Sequence, residues 1–232
     1  MRTLPGVCLV LSLVPGAALA RRPVLVELFT AQGCVTCNRA DASVARWADR
    51  SDVIVLTWSV DYWDYLGWKD TFAQPEFAAR QRAYDKRFGL RDVSTPQIIA
   101  DGVVQQSGDR TETLAELVKR ARHERLAAPQ IAFPHDGEVA IGSGRRPSGG
   151  GDVWLVRYNP TAQVVEVKAG DNHGASVSER NIATQLIRLG GWSGRSRIYK
   201  IPPASDDGLS TIVIVQDSSG GSILTTGVPK AK

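Results

Sequence analysis

The chain has 232 residues, 43% of them hydrophobic and 22% charged, with a formal net charge of +4 at pH 7. That length supports one large domain or two small ones. The basic excess is mild and holds no long Lys/Arg run, which excludes the footprint of a nucleic-acid binder.

The first residues read as an export signal. Met1-Arg2 is followed by an apolar stretch from Leu4 to Leu19, and Ala18-Leu19-Ala20 supplies a small-x-small cleavage site. The stretch is short for a membrane span, and Pro5 and Pro15 interrupt it. We expect residues 1–20 to be a signal peptide cut after Ala20, giving a secreted or periplasmic protein without stable membrane insertion. Cleavage removes Met1 and Cys8, lowers the charge to +3 through loss of Arg2, and leaves Cys34 and Cys37 as the only cysteines. One vicinal pair in an oxidising compartment is not a disulfide scaffold.

Pro23 to Phe29 is apolar and β-branched enough for a strand buried on both faces. Thr30-Ala31-Gln32-Gly33 turns the chain, and Ala40, Val44, Trp47 and Ala48 then recur at helical spacing. This pattern places Cys34 and Cys37 on the first turn of a helix leaving a central strand. There the helix dipole favours a thiolate, the species that attacks disulfides. Three other readings compete. Zinc needs two further ligands, and His123, His135 and His173 are distant and unpaired, so no metal is expected. A copper carrier fits poorly with a mature chain lacking methionine. A closed structural disulfide is the stronger rival, although so short a loop constrains the unfolded chain little.

Val53 to Trp58 reads as a second strand, parallel to the first because a helix lies between them. Chemistry in such units collects beyond the carboxyl ends of the strands, where Cys34 falls. Residues 58–88 hold nine of the sixteen aromatics. Trp63 and Trp68 either cap a core edge, their indoles bonded to Asp61, Asp64 or Asp70, or form an aromatic and acidic rim that grips a partner. Pro75 opens a helix running to about Phe88, with Phe77, Arg80, Gln81, Tyr84 and Phe88 near one face and Gly89 as its stop. It is expected over the face carrying Cys34. Thr95-Pro96 precedes a short strand, Asp101-Gly102 signals a hairpin, and Thr113 to Glu116 forms a capping box for a last helix ending near Ala127.

This order resembles the thioredoxin fold. Residues 26–102 more closely resemble an uncharacterised family of secreted bacterial thioredoxin-like proteins, domain of unknown function 1223. The likeness is carried by Val26-Glu27-Leu28-Phe29-Thr30, Gln32-Gly33-Cys34, Cys37 and Ala40-Asp41. It continues through Val60 to Asp70, Arg80-Gln81, Tyr84 and Thr95-Pro96-Gln97. Asn38-Arg39 departs from the prolines that family members often carry there. The thioredoxin resemblance implies Cys34 as attacking thiolate, Cys37 as resolving thiol, and Pro96 as a cis-proline whose neighbour Thr95 docks substrate. It also implies Glu27 as a buried proton-relaying acid. Its alternative is a strand-edge carboxylate in water.

Beyond Pro129 the texture changes to short strands at 130–133, 138–141, 152–158, 164–168, 196–201, 211–216 and 222–226, punctuated by Gly and Ser. His173 reads as a loop residue. The expected architecture is an α/β thioredoxin-like domain over 21–128, a mixed sheet flanked by helices with an insertion at about 59–90. A mostly antiparallel β module over 129–232 follows. The expected function is an exported thiol–disulfide oxidoreductase acting on protein or small-thiol substrates with an unknown redox partner and no cofactor. Catalysis falls to Cys34, Cys37 and Glu27, and substrate binding to Thr95, Pro96, Trp63 and Trp68. The alternative is a non-catalytic binding module that works through residues 61–70.

Overall fold

The computed structural model describes residues 22–107, 113–124, 128–204, 208–218 and 220–229. The expected signal segment therefore lies outside the described residues.

The first strand, β1 (Val24–Thr30), is buried along its whole length. Its alternation divides the core, as the two-residue period requires. Val24, Val26 and Leu28 pack with Val44 of α1 (Cys37–Ala45). Leu25 and Phe29 face the opposite layer. Helix α1 is shorter than its apolar stripe. From Ala45 the chain continues as tight turns (Trp47 N to Val44 O, Ala48 N to Ala45 O), which still hold Trp47 against the core. Next, β2 (Val53–Ser59) pairs with β1 in parallel, Val24 opposite Val53 and Thr30 opposite Ser59.

A short 3₁₀ turn at Asp64–Leu66 and α2 (Pro75–Phe88) fill the expected insertion. Proline in its first turn opens α2, and Gly89 at φ 69° closes it. Phe77, Ala78 and Tyr84 face the same layer as Leu25, Phe29, Cys34 and Cys37. β3 (Gln97–Ala100) returns antiparallel to β1 and turns into β4 (Val104–Ser107) through Asp101 and Gly102, both at positive φ. Two positive-φ residues make the hairpin turn that matches strand twist. The capping box at Thr113 and Glu116 starts α3 (Leu114–His123), whose Leu114, Leu117, Val118 and Ala121 join α1 on its layer.

The later strands of the expected β module over 129–232 are divided among three sheets. They are β5 (Ile131–Ala132), β6 (Glu138–Ile141), β7 (Gly151–Asn159), β8 (Gln163–Glu166), β9 (Ser176–Glu179), β10 (Ile182–Trp192), β11 (Arg197–Lys200), β12 (Ser210–Asp217) and β13 (Ile223–Gly227). Four of them extend the first sheet, giving one eight-stranded layer in the order β13-β12-β7-β10-β2-β1-β3-β4. At its seam β10 lies parallel to β2, with Ile182 opposite Thr57. Thr57 N donates to Asn181 O at 3.0 Å, Thr57 Oγ1 to Arg180 O at 2.7 Å, and Asn181 Nδ2 to Val55 O at 2.9 Å. The remaining later strands form a three-stranded sheet (β11-β6-β5) and the β8–β9 pair. The molecule is thus a mixed α/β protein with a large central sheet and three helices among the described residues, and an antiparallel portion in its second half.

Candidate functional site at the carboxyl end of the first strand

Phe29 pairs with Gln97, so Pro96 enters the sheet at the same end where β1 releases the chain toward Cys34. The Thr95–Pro96 peptide bond is cis. Cys34 and Cys37 are joined, with sulfurs 2.09 Å apart. Their placement differs from the sequence expectation. Two successive tight turns, Cys34 N to Ala31 O and Cys37 N to Cys34 O, precede the helix, so α1 begins at Cys37 with Thr36 as N-cap. Cys34 therefore sits on the turn before the helix rather than on its first turn.

Cys34 is only 1% exposed and Cys37 is fully buried, while Val35 between them is 57% exposed. Part of the cover comes from residues 61–70. Trp63 packs against the cluster that includes both cysteines, and a side chain on Gly33 would begin 3.6 Å from its Cβ. Its indole donates to Thr95 Oγ1 at 2.8 Å. The strap thus ties the cysteine turn to the residue before the cis-proline. Trp68 anchors its far end by donating to Gln32 Oε1 at 3.0 Å. Neither indole uses the aspartates close by in sequence.

Gln32, two residues before Cys34, has every polar group engaged. Its amide donates to Asp70 Oδ2 at 2.7 Å, and its carbonyl accepts from Asn172 Nδ2 at 2.8 Å. Its side chain also accepts from Thr71 and donates to Glu179 Oε2. Three carboxyls gather around this hub, all buried: Asp41, Asp70 and Glu179. Burial is the main cause that lifts each above its usual range. Repulsion from Glu179 adds to Asp41, and repulsion from Asp70 adds to Glu179, which is pushed up to about 7. Asp41 lies four residues after Cys37, on the same face of α1. Its Oδ2 accepts from Thr30 at 3.2 Å, and its Oδ1 is buried without a partner.

Glu27 is elsewhere engaged. Arg80 donates to both its oxygens, at 2.6 and 3.1 Å, and the Tyr84 hydroxyl donates to one of them. It is therefore neither a strand-edge carboxylate in water nor a carboxyl with an open face. His173 is exposed, and its neighbour Asn172 makes the site contact. Sequence reasoning missed Gln32, Asp41, Asp70, Asn172 and Glu179. Gln32, Asp41 and Asp70 lie in the motifs that carry the family resemblance, and Asp41 is also marked by its spacing from Cys37. No group of three or more His, Cys, Asp or Glu side chains arranged to hold a metal ion occurs among the described residues.

The cysteine pair at the end of the central strand is thus backed by buried carboxyls. A family model described as a protein of unknown function, DUF1223, matches residues 25–216. The chain belongs to the DUF1223 family. The matched region takes in the cysteine turn, the strap and the seam, so those features lie within this DUF1223 protein's family region. A solved structure of protein AGR_C_4864 from Agrobacterium tumefaciens is 27% identical. It aligns over 90% of this chain and 96% of that one, with a TM-score of 0.72. HBP35 of Porphyromonas gingivalis shares the fold at 12% identity, with 89% of this chain and 74% of that chain covered and a TM-score of 0.54. No curated protein matches the DUF1223 chain.

Proposed function

We propose that this protein is an exported thiol–disulfide oxidoreductase on a thioredoxin-like scaffold, with residues 1–20 as its cleaved signal. The observation that carries the reading is the joined Cys34–Cys37 pair on the turn between a central strand and its helix, at the same sheet end as a cis-proline. In the oxidised chain a substrate thiolate attacks Cys34 Sγ, the S–S bond breaks, and Cys37 leaves as a thiolate. Asp41, whose carboxyl burial pushes up toward the protonated form, supplies the proton that neutralises it. A second substrate thiolate then attacks the substrate sulfur of the mixed disulfide. Cys34 leaves, the substrate closes its own disulfide, and two electrons remain on the protein. The reverse sequence reduces a substrate disulfide. Protein or small-thiol substrates dock along Thr95-Pro96, with Trp63 and Trp68 at the rim. Glu27 holds Arg80 rather than relaying protons.

The experiment is insulin-disulfide reduction driven by dithiothreitol. Activity in the wild type that is abolished in Cys34→Ser supports the reading. A wild type with no exchange, whose disulfide survives dithiol reagents, sinks it. The burial of Cys34 favours a second reading, a non-catalytic binding module that uses the strap at 61–70. That reading gains if strap substitutions abolish partner capture while Cys34→Ser leaves it intact.

A further inference from the structure

On the sheet face opposite the one that covers the cysteines, one arginine has no counter-charge among the described residues. Arg157 lies on β7, on the face that carries Val153 and Leu155 toward the core shared with the three-stranded sheet. It is 8% exposed. Its Nη1 donates to Thr211 Oγ1, opposite it in register on β12, and its Nη2 donates to Pro202 O at 2.7 Å. Its Nε is buried without a partner. A guanidinium has five N–H donors, so three are unaccounted for. Burial alone acts on its charge, and nothing among the described residues offsets it. The contrast is Arg80, the other buried arginine among the described residues, which Glu27 neutralises. Leaving a buried charge unpaired is strongly unfavourable.

Arg157 lines a cavity of about 850 Å³, within the size range of small-molecule sites. Ile131, Phe133, Ile201 and Val228 supply apolar walls. The acids that also line it are engaged: Glu138 is bonded to Lys200, and Asp136 has a partner of its own. His135 adds a further polar group at the lining. A cavity with apolar walls and one uncompensated guanidinium selects a ligand that is apolar over most of its length and singly anionic at one end. Polyanions would leave charge against the walls, and neutral apolar molecules would leave the arginine bare.

We propose that this cavity binds a monocarboxylate with an apolar tail, its carboxylate on Arg157 and its tail along Phe133, Ile131, Ile201 and Val228. The site is separate from the cysteine pair and does not depend on the redox reading.

The test is calorimetric titration of the full chain with decanoate and, separately, with decanol. Saturable one-to-one binding of decanoate, with decanol at least tenfold weaker, is expected. Val228→Trp, at a half-exposed position of the lining, adds bulk to the wall along which the tail would lie and is expected to weaken decanoate at least tenfold. The chain also carries Asp206 and Asp207, outside the described residues. The double variant Asp206→Asn/Asp207→Asn is expected to bind decanoate within about twofold of wild type. The proposal is overturned by no decanoate binding, by equal binding of decanol, by an unaffected Val228→Trp variant, or by binding that appears only in the double Asn variant.

Discussion

Glu179 closes β9 with its carboxyl 3.3 Å from both Ser59 Oγ and Gln32 Nε2. Unfolded, it titrates near 4.5, and folded, near 7. Between those values the folded chain holds more protons than the unfolded one, so stability falls as pH rises through that window and levels off above it. Asp41 and Asp70 are shifted in the same direction and steepen the loss. Thermal melts from pH 4.5 to 8 are expected to show a falling midpoint, with a visibly flatter profile in Glu179→Gln. The term removed is on the order of 3 kcal/mol. A second contrast separates two acids. Glu27→Gln leaves the guanidinium of Arg80 uncompensated in the core and is expected to cost about 3–5 kcal/mol in chemical denaturation. Asp41→Asn is expected to keep the fold and slow thiol–disulfide exchange by tenfold or more, with an altered pH profile. If Glu27→Gln instead changes the exchange profile at unchanged stability, the roles assigned to these acids are reversed.

The strap and the hairpin carry the arguments that belong to elements. Trp63→Phe keeps the ring against Gly33 and removes the bond to Thr95. A neutral hydrogen bond is worth about 1 kcal/mol net, so dithiothreitol should reduce the disulfide about fivefold faster. An unchanged rate would show that the strap is not the barrier to Cys34. At Gly102, φ is +64° and a Cβ would lie 2.5 Å from Gly221 O, so Gly102→Ala meets both strain and a clash. Urea denaturation is expected to show a loss of about 2 kcal/mol or more. Sequence legibility follows the same elements. Helix α2 was readable because Pro75 and Gly89 mark both ends. Strand β6 was legible because the apolar run Val139-Ala140-Ile141 is bounded by Gly137 and Gly142. The long strand β10 was not, because register shifts after Ala183 and Arg188 break its period. The cysteine turn was visible in sequence, but its cover was not. Trp63 and Trp68 find acceptors 32 and 36 residues away in the chain, and no local pattern encodes that. The burial of Glu179 is likewise a tertiary fact, since its partners Gln32 and Ser59 lie 147 and 120 residues away in the chain.

At the scale of the whole molecule, a change of texture near Pro129 suggested two units, yet β2 takes its second neighbour from β10. The later half also reaches the cysteine end, through Asn172 and Glu179, and meets the Asp101 turn through Ile223 N at 2.7 Å. Until residue 182 has been made, β2 has one flank of unpaired amides and carbonyls, lined by residues buried in the finished protein. Bare strand flanks invite pairing between chains. A fragment ending at residue 128 should therefore associate into oligomers or precipitate, and a lone soluble monomer by light scattering would count against this. For a chain that emerges from its amino end, the first half is left adhesive until the second arrives, so a holding chaperone would be needed longest over that interval.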